Sequence, residues 1–197
     1  TCALPISPSA CIACWSDAEQ MYGVSSHLLY AVARAESDLQ PGAVNLTHRA
    51  RTGTYDIGLM QINSSHLPTL ARYGIGEAQL YDPCTNIHVG AWLLADAFAR
   101  HGASWNAVGA YNAASPTLRR AYAERVREIE TAAVTLVLRA NGVDLDRYPP
   151  VAVSMLIAQI ARSLCNEDAV GVTLGHRELR EFVERQLKLL ALPSAGT

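Results

Sequence analysis

Apolar side chains recur at intervals of three and four residues along most of this chain, and that spacing commits it to helices packed on a shared core. Ser25 and Ser26 offer an N-cap to the segment HLLYAVARAESDL, which holds neither Gly nor Pro and is ended by Pro41 and Gly42. Its apolar stripe passes through Leu29, Val32, Ala33 and Leu39, and Glu36 lies on that stripe. A carboxylate there is either misplaced or employed. Burial disfavours the charged form and raises the pKa, which leaves a protonated acid able to donate to a leaving oxygen. Near a helix C-terminus the same side chain can instead point to solvent or cap a neighbouring segment, and this helix alone leaves both readings open.

The remaining helices are read in the same way. CWSDAEQMYGVS predicts a short helix ending at Gly23, and INSSHLPTLARYG predicts another. TNIHVGAWLLADAFARHG repeats Ile87, Ala91, Leu94, Ala95 and Phe98 before Gly102 stops it. SWNAVGAYNAAS follows, with Ser104 as N-cap and Pro116 just beyond, and then a charged helix from Thr117 to about Ala140, ended by Asn141 and Gly142. Residues 43–65 break the pattern: AVNLTHRARTGTYDIGLMQINSS carries Asn, Thr, Gly and a β-prone TYDI, and predicts a loop or small hairpin. Packed beside a buried glutamate, it would form one wall of a cleft.

Past Val143 the chain reads as an addition. DLDRYPP is a turn, VAVSMLIAQIARSLC a helix apolar nearly all round, and HRELREFVERQLKLLAL a helix with Leu179, Phe182, Val183 and Leu187 on one side and Glu181/Arg185 and Glu184/Lys188 pairs on the other. These predict either a helical hairpin covering the main domain or a docking surface for a partner. The organisation expected is an N-terminal arm, 1–13, a helical domain, 14–142, and a C-terminal helical extension, 143–197.

Composition narrows the function classes. At 197 residues, 50% hydrophobic and 17% charged, the chain can bury a proper core. A net charge of −2 with scattered Lys and Arg gives no basic footprint, which disfavours nucleic acid as a partner. The nearest approach to a membrane span, VAVSMLIAQIARSL, is too short and carries Gln159 and Arg162, so no integral membrane segment is expected. No charged-then-apolar leader starts at Thr1, as a mature or trimmed sequence would have it. Five cysteines without paired knuckles suit an exported protein with one or two disulfides, or a reduced chain with buried thiols; the odd count leaves at least one outside an internal pair. The six histidines form no pattern of metal ligands.

Within the break, TYDIGLMQINSS combines an acid, Asp56, a glycine that permits close backbone approach, Gly58, and a polar run, Gln61, Asn63, Ser64 and Ser65, suited to hydroxyls and acetamides. Met60 would add an adaptable apolar surface for a sugar face. Each of these also reads as an ordinary turn or core residue. Tyr111 shares a helical face with Trp105 and Val108 and is either a core aromatic or a cleft residue whose hydroxyl, once buried, needs a partner such as a carboxyl or a bound sugar.

Taken in order, ARAESDLQPGAVN, DIGLMQINSS, DPCTNIHVGAWLL and AVGAYNAAS resemble the soluble, lysozyme-like lytic transglycosylases of glycoside hydrolase family 23, nearest to the small members that accompany bacterial secretion, conjugation and pilus machines. The match spans roughly residues 14–125. TYDIGLMQINSS is also similar to the active-site hairpin of c-type lysozymes. The resemblance implies a mainly α, goose-type lysozyme-like domain with a small hairpin, acting in the periplasm or outside the cell on peptidoglycan glycan strands, without a cofactor or metal. It implies Glu36 as the sole catalytic acid, Ser37 as the neighbour that orders it, Gly58, Met60 and Gln61 as a glycan-lining loop, and Tyr111 and Asn112 as the pair facing the glutamate. The implied reaction cleaves the β-1,4 bond between N-acetylmuramic acid (MurNAc) and N-acetylglucosamine (GlcNAc) and leaves a 1,6-anhydro end.

Asp56 matches the second carboxylate of c-type lysozymes. It therefore opens a hydrolytic alternative using Glu36 and Asp56, unless it only braces its turn. A glycan-binding scaffold without turnover is the reading from another class. The resemblance further implies a Cys14–Cys84 disulfide, leaves Cys2, Cys11 and Cys165 unassigned, and suggests a secretion, conjugation or pilus component as partner of the C-terminal helices.

Overall fold

The computed structural model describes residues 8–140 and 142–153. Along them run α1 (Pro8–Tyr22), α2 (Ser26–Ser37), α3 (Arg49–Thr52), α4 (Leu67–Leu70), α5 (Pro83–His101), α6 (Trp105–Asn112) and α7 (Pro116–Ala140). Between them a small antiparallel sheet joins β1 (Val44–Asn45), β2 (Asp56–Ile57) and β3 (Ile62–Asn63) in that order. The expected mainly α domain with one hairpin is what folds. The described residues pack as two compact units that divide after Val126.

In the first unit, α5 is the central element and lies against α1 and α6. Pro83 opens it, Asp82 caps it by accepting from the Thr85 N–H at 2.8 Å, and Gly102 (φ 72°) ends it. Leu29, Val32 and Ala33 of α2 are fully buried with Val24, Ile57, Ile62, Leu80, Ile87 and Leu94. Burying a side chain of this size contributes about 1.5–3 kcal/mol, so this face alone fixes how α2 is rotated. Rotation in turn fixes where Glu36 points. Ser25 occupies the N-cap position of α2 but makes no side-chain cap; the Glu19 carboxylate of α1 accepts the Ser26 N–H instead, at 3.2 Å. Beyond Ser37 the chain turns through left-handed residues Asp38 (φ 56°) and Leu39 (φ 63°), so Leu39 falls after the helix rather than on its stripe.

Two sequence expectations are corrected. The helix read from INSSHLPTLARYG is a series of short turns, with α4 flanked by 3₁₀ turns at Ser64–His66 and Ala71–Tyr73, because Pro68 belongs in a first helical turn and Gly74 (φ 74°) ends the run. The first helix starts at Pro8 rather than near Cys14. Cys14 of α1 is bonded to Cys84 at the start of α5, with Cα atoms 5.3 Å apart across 70 residues of sequence.

The hairpin is held by a buried side chain. Asn86 of α5 has no exposed surface; its Oδ1 accepts the Met60 N–H at 2.7 Å, and its Nδ2 donates to the carbonyls of Ile57 at 3.0 Å and Leu80 at 2.7 Å. The turn between β2 and β3 needs Gly58 at φ 77°, and a Cβ there would stand 2.3 Å from Asn86 Nδ2.

In the second unit, Val134, Leu138 and Val143 are buried together, with Leu145, Tyr148 and Val153 packed on them. The end of α7 is closed at Gly142 (φ 70°), where the Val143 N–H returns to the Leu138 carbonyl at 3.0 Å. The two helices expected after residue 150 lie, past Val153, outside the described residues, as do Cys2, Cys165 and the side chain of Cys11.

Candidate active site

Glu36 ends the apolar face of α2 and is partly buried. The Tyr122 hydroxyl of α7 donates to its Oε1 at 2.6 Å, and the Asn112 side chain at the end of α6 also bonds to it. Burial is the largest influence on the carboxyl and pushes its pKa above the ordinary carboxylate value. The negative charge of Asp56 pushes the same way, while the bonds from Tyr122 and Asn112 and the Arg125 guanidinium pull down, and the net shift is upward. Arg125 also donates to the Ala35 carbonyl, which ties α7 to the last turn of α2. The Tyr122 phenol is raised well above its usual range, chiefly by burial and then by the charge of Glu36, so it stays a donor.

The opposite wall is the hairpin. Asp56 on β2 accepts from Asn63 Nδ2 at 2.7 Å and from Asn45 Nδ2 at 3.3 Å, and His48 Nε2 stands 3.7 Å from it. Three polar neighbours hold one carboxylate at the site, close enough to Glu36 to be felt by it. Ser37 Oγ donates to the Leu59 carbonyl at 2.6 Å, so the residue after Glu36 clasps the turn. Tyr111 donates to the Met60 carbonyl at 2.7 Å; a backbone oxygen, rather than a carboxyl or a sugar, satisfies its hydroxyl. Burial raises the Tyr111 phenol well above its usual range, with Glu36 and Asp56 adding to the rise.

The structure thus brings Glu36, Ser37, Asp56, Tyr111 and Asn112 together. Gln61, at φ 49°, uses its side-chain amide on the carbonyls of Gly58 at 2.8 Å and Ala43 at 3.2 Å, and Asn63 uses its oxygen on the Ser65 N–H. Gly58 is buried in the turn. Met60 departs from the sugar-facing surface expected of it: its side chain is fully buried, and the absence of a side chain at Gly90 makes the room it fills. A groove of about 530 Å³ walled by Tyr22, Tyr73, His88 and Trp92 lies elsewhere on this unit and contains none of these residues.

Sequence reasoning missed Tyr122, Arg125, Asn45, His48 and Asn86. Tyr122 carried a signal: with Val126 it makes an i, i+4 apolar pair in an otherwise charged helix, and both are buried.

The order of the motifs along the chain has a counterpart in a family model. The transglycosylase SLT domain matches residues 13–133, more than half of the chain. This chain belongs to the transglycosylase SLT family. It is similar to invasion protein IagB of Salmonella typhimurium, 48% identical over 120 residues that make up 58% of this chain and 73% of that protein. It is also similar to the X polypeptide of Escherichia coli, 42% identical over 125 residues, 60% of this chain and 72% of that one. A third relative, protein IpgF of Shigella flexneri, is 41% identical over 101 residues, 51% of this chain and 64% of its own length. The transglycosylase is therefore a lytic enzyme of peptidoglycan, a polymer of the bacterial cell envelope. Among the described residues no helix is long and apolar enough to cross a membrane.

Proposed function

We propose that Glu36 is the acid and then the base of a cleavage at the MurNAc–GlcNAc β-1,4 bond that closes a 1,6-anhydro ring on MurNAc. The observation that carries this reading is the Tyr122 bond to Glu36 Oε1 within a burial that raises the carboxyl. With Oε1 engaged by the Tyr122 donor, the proton of the acid resides on Oε2, from which it passes to the glycosidic oxygen. The carboxylate left behind is stabilised by Tyr122 and Asn112 and takes the proton of the muramoyl 6-hydroxyl as that oxygen attacks its own anomeric carbon. Intramolecular attack needs no water and no second carboxylate to activate one. Asp56 opposes the positive charge that develops at the anomeric carbon, Ser37 holds the acid against the turn, and the rim of Gln61, Asn63 and Asn112 binds acetamides and hydroxyls. No cofactor enters the scheme.

A second reading, hydrolysis by Glu36 and Asp56, is favoured by one observation: Asp56 is near enough to raise the Glu36 carboxyl. Mass spectrometry of digested peptidoglycan separates the two. Anhydro ends are expected from the wild type, and loss of about 10³-fold in rate from Glu36→Gln. Ends carrying the mass of an added water would overturn the transglycosylase product. Turnover by Glu36→Gln at the wild-type rate would instead leave a glycan-binding scaffold.

The proposed setting is the periplasm, where a Cys14–Cys84 bond persists. The role is local wall remodelling around a secretion, conjugation or pilus machine, and the name of one relative, an invasion protein, supports it. We take residues 14–142 as the catalytic domain, 1–13 as an arm and 143–197 as the extension that recruits it. A chain ended near residue 142 is expected to digest isolated peptidoglycan and to fail in cells; full complementation in cells by that truncation would count against recruitment.

A further inference from the structure

The proposed chemistry needs Glu36 and a glycan, yet nothing in it explains why a fully buried, uncharged amide on another helix makes three hydrogen bonds. Asn86 has no exposed surface, so it cannot touch a substrate. Two of its three bonds end on one feature. The Met60 N–H and the Ile57 carbonyl belong to the turn between β2 and β3, and the Leu80 carbonyl belongs to the segment leading into α5. Two further attachments of that turn lead to the cleft: the Leu59 carbonyl accepts from Ser37 and the Met60 carbonyl accepts from Tyr111. Ile57, where one Asn86 bond ends, directly follows Asp56 on β2.

We infer that Asn86 is a positioning residue for catalysis: acting through residues 57–60, it sets where Asp56, Ser37 and Tyr111 stand relative to Glu36. The local sequence is fitted to this one side chain. Gly58 is required because any Cβ would stand 2.3 Å from Asn86 Nδ2 and 2.5 Å from the Leu80 carbonyl, and Gly90, one turn along α5, makes room for Met60 in the same way. An amide supplies one acceptor and two donors in a plane, and the backbone of the turn and of Leu80 presents one N–H and two carbonyls to it. A leucine of the same branching would take the place of the amide and leave the backbone groups it bonds without those partners. A carboxylate would meet two carbonyl oxygens with no proton to offer them. The specificity is geometric, and the consequence falls on the reacting groups rather than on binding.

This inference rests on Glu36 as the acid, and its test separates the two. In the full-length protein, Asn86→Asp, Asn86→Ser and Glu36→Gln are assayed on soluble, uncross-linked glycan strands, with kcat expressed per folded molecule after near-UV circular dichroism. For Asn86→Asp we expect kcat to fall on the order of tenfold with KM within about threefold of wild type. We also expect the ratio of variant to wild-type kcat to fall further as pH rises and the introduced carboxyl loses the proton it donates to one of the two carbonyls. Asn86→Ser, smaller and uncharged, is expected to lose kcat without that pH-dependent ratio, and it serves as the test if the aspartate variant does not fold. Wild-type kcat per folded molecule in the variants, with only thermal stability reduced, would overturn the positioning role while leaving Glu36 untouched. Full activity in Glu36→Gln would remove the reading on which it stands.

Discussion

The two walls of the cleft are held by different forces. The α2 wall is set by apolar burial, with Leu29, Val32 and Ala33 fully enclosed, and the Glu36 carboxyl is what that burial acts on. The hairpin wall has strands of two residues each and is set by amide side chains: Asn86 and Gln61 on its turn, Asn63 and Asn45 on Asp56. Apolar packing is non-directional and tolerates some change of shape, whereas an amide bonded three ways tolerates almost none. The protein thus joins a wall that tunes a proton to a wall that holds a geometry.

The largest effect expected is on the frame that carries both walls. Removing the Cys14–Cys84 bond by a double Cys→Ser change frees a closed loop of 70 residues, and unfolding in urea should show a loss of about 4 kcal/mol. Next comes a direct contrast between the walls. Leu29→Ala should cost about 3 kcal/mol of stability yet leave kcat per folded molecule within about twofold. Gly58→Ala should cost about 2 kcal/mol, from the left-handed backbone and the clash with Asn86, and should also reduce kcat on the order of tenfold. Equal losses of kcat from both changes would dissolve the distinction.

Smaller effects of opposite sign sharpen it. The reaction needs the protonated acid, so activity falls as pH rises through the Glu36 pKa. Tyr122→Phe removes a donor that favours the carboxylate, and the fall should move to higher pH. Asp56→Asn removes a charge that disfavours the carboxylate, and the fall should move to lower pH. Profiles that shift in one direction for both variants would contradict the assignment of these groups.

The α2 wall was legible in the sequence because apolar burial writes itself as a period: the stripe, its stops at Pro41 and Gly42, and the odd glutamate are all local. The disulfide came from resemblance, since nothing in the spacing of five cysteines selects a pair. The hairpin wall was legible only as a loop of suitable residue types. Which amide bonds which carbonyl depends on partners up to 29 residues apart, as for Asn86 and Ile57, and no local pattern records that. Met60 shows the cost: its residue type fits a sugar face as well as a core gap, and only the room at Gly90 decides for the core. Tyr122 lies 86 residues from Glu36, and its hydroxyl, not its place in the helix, gives it a role at the site.

One titration bears on the central claim most directly, that burial in the α2 wall raises the Glu36 carboxyl above an ordinary exposed one. With ¹³C-labelled glutamate carboxyls, the Glu36 resonance is assigned by its absence in Glu36→Gln and followed with pH in the free enzyme. A midpoint above that of the exposed glutamates in the same spectrum is the result predicted. A Glu36 midpoint at or below theirs would mean that the acid is already spent before substrate binds.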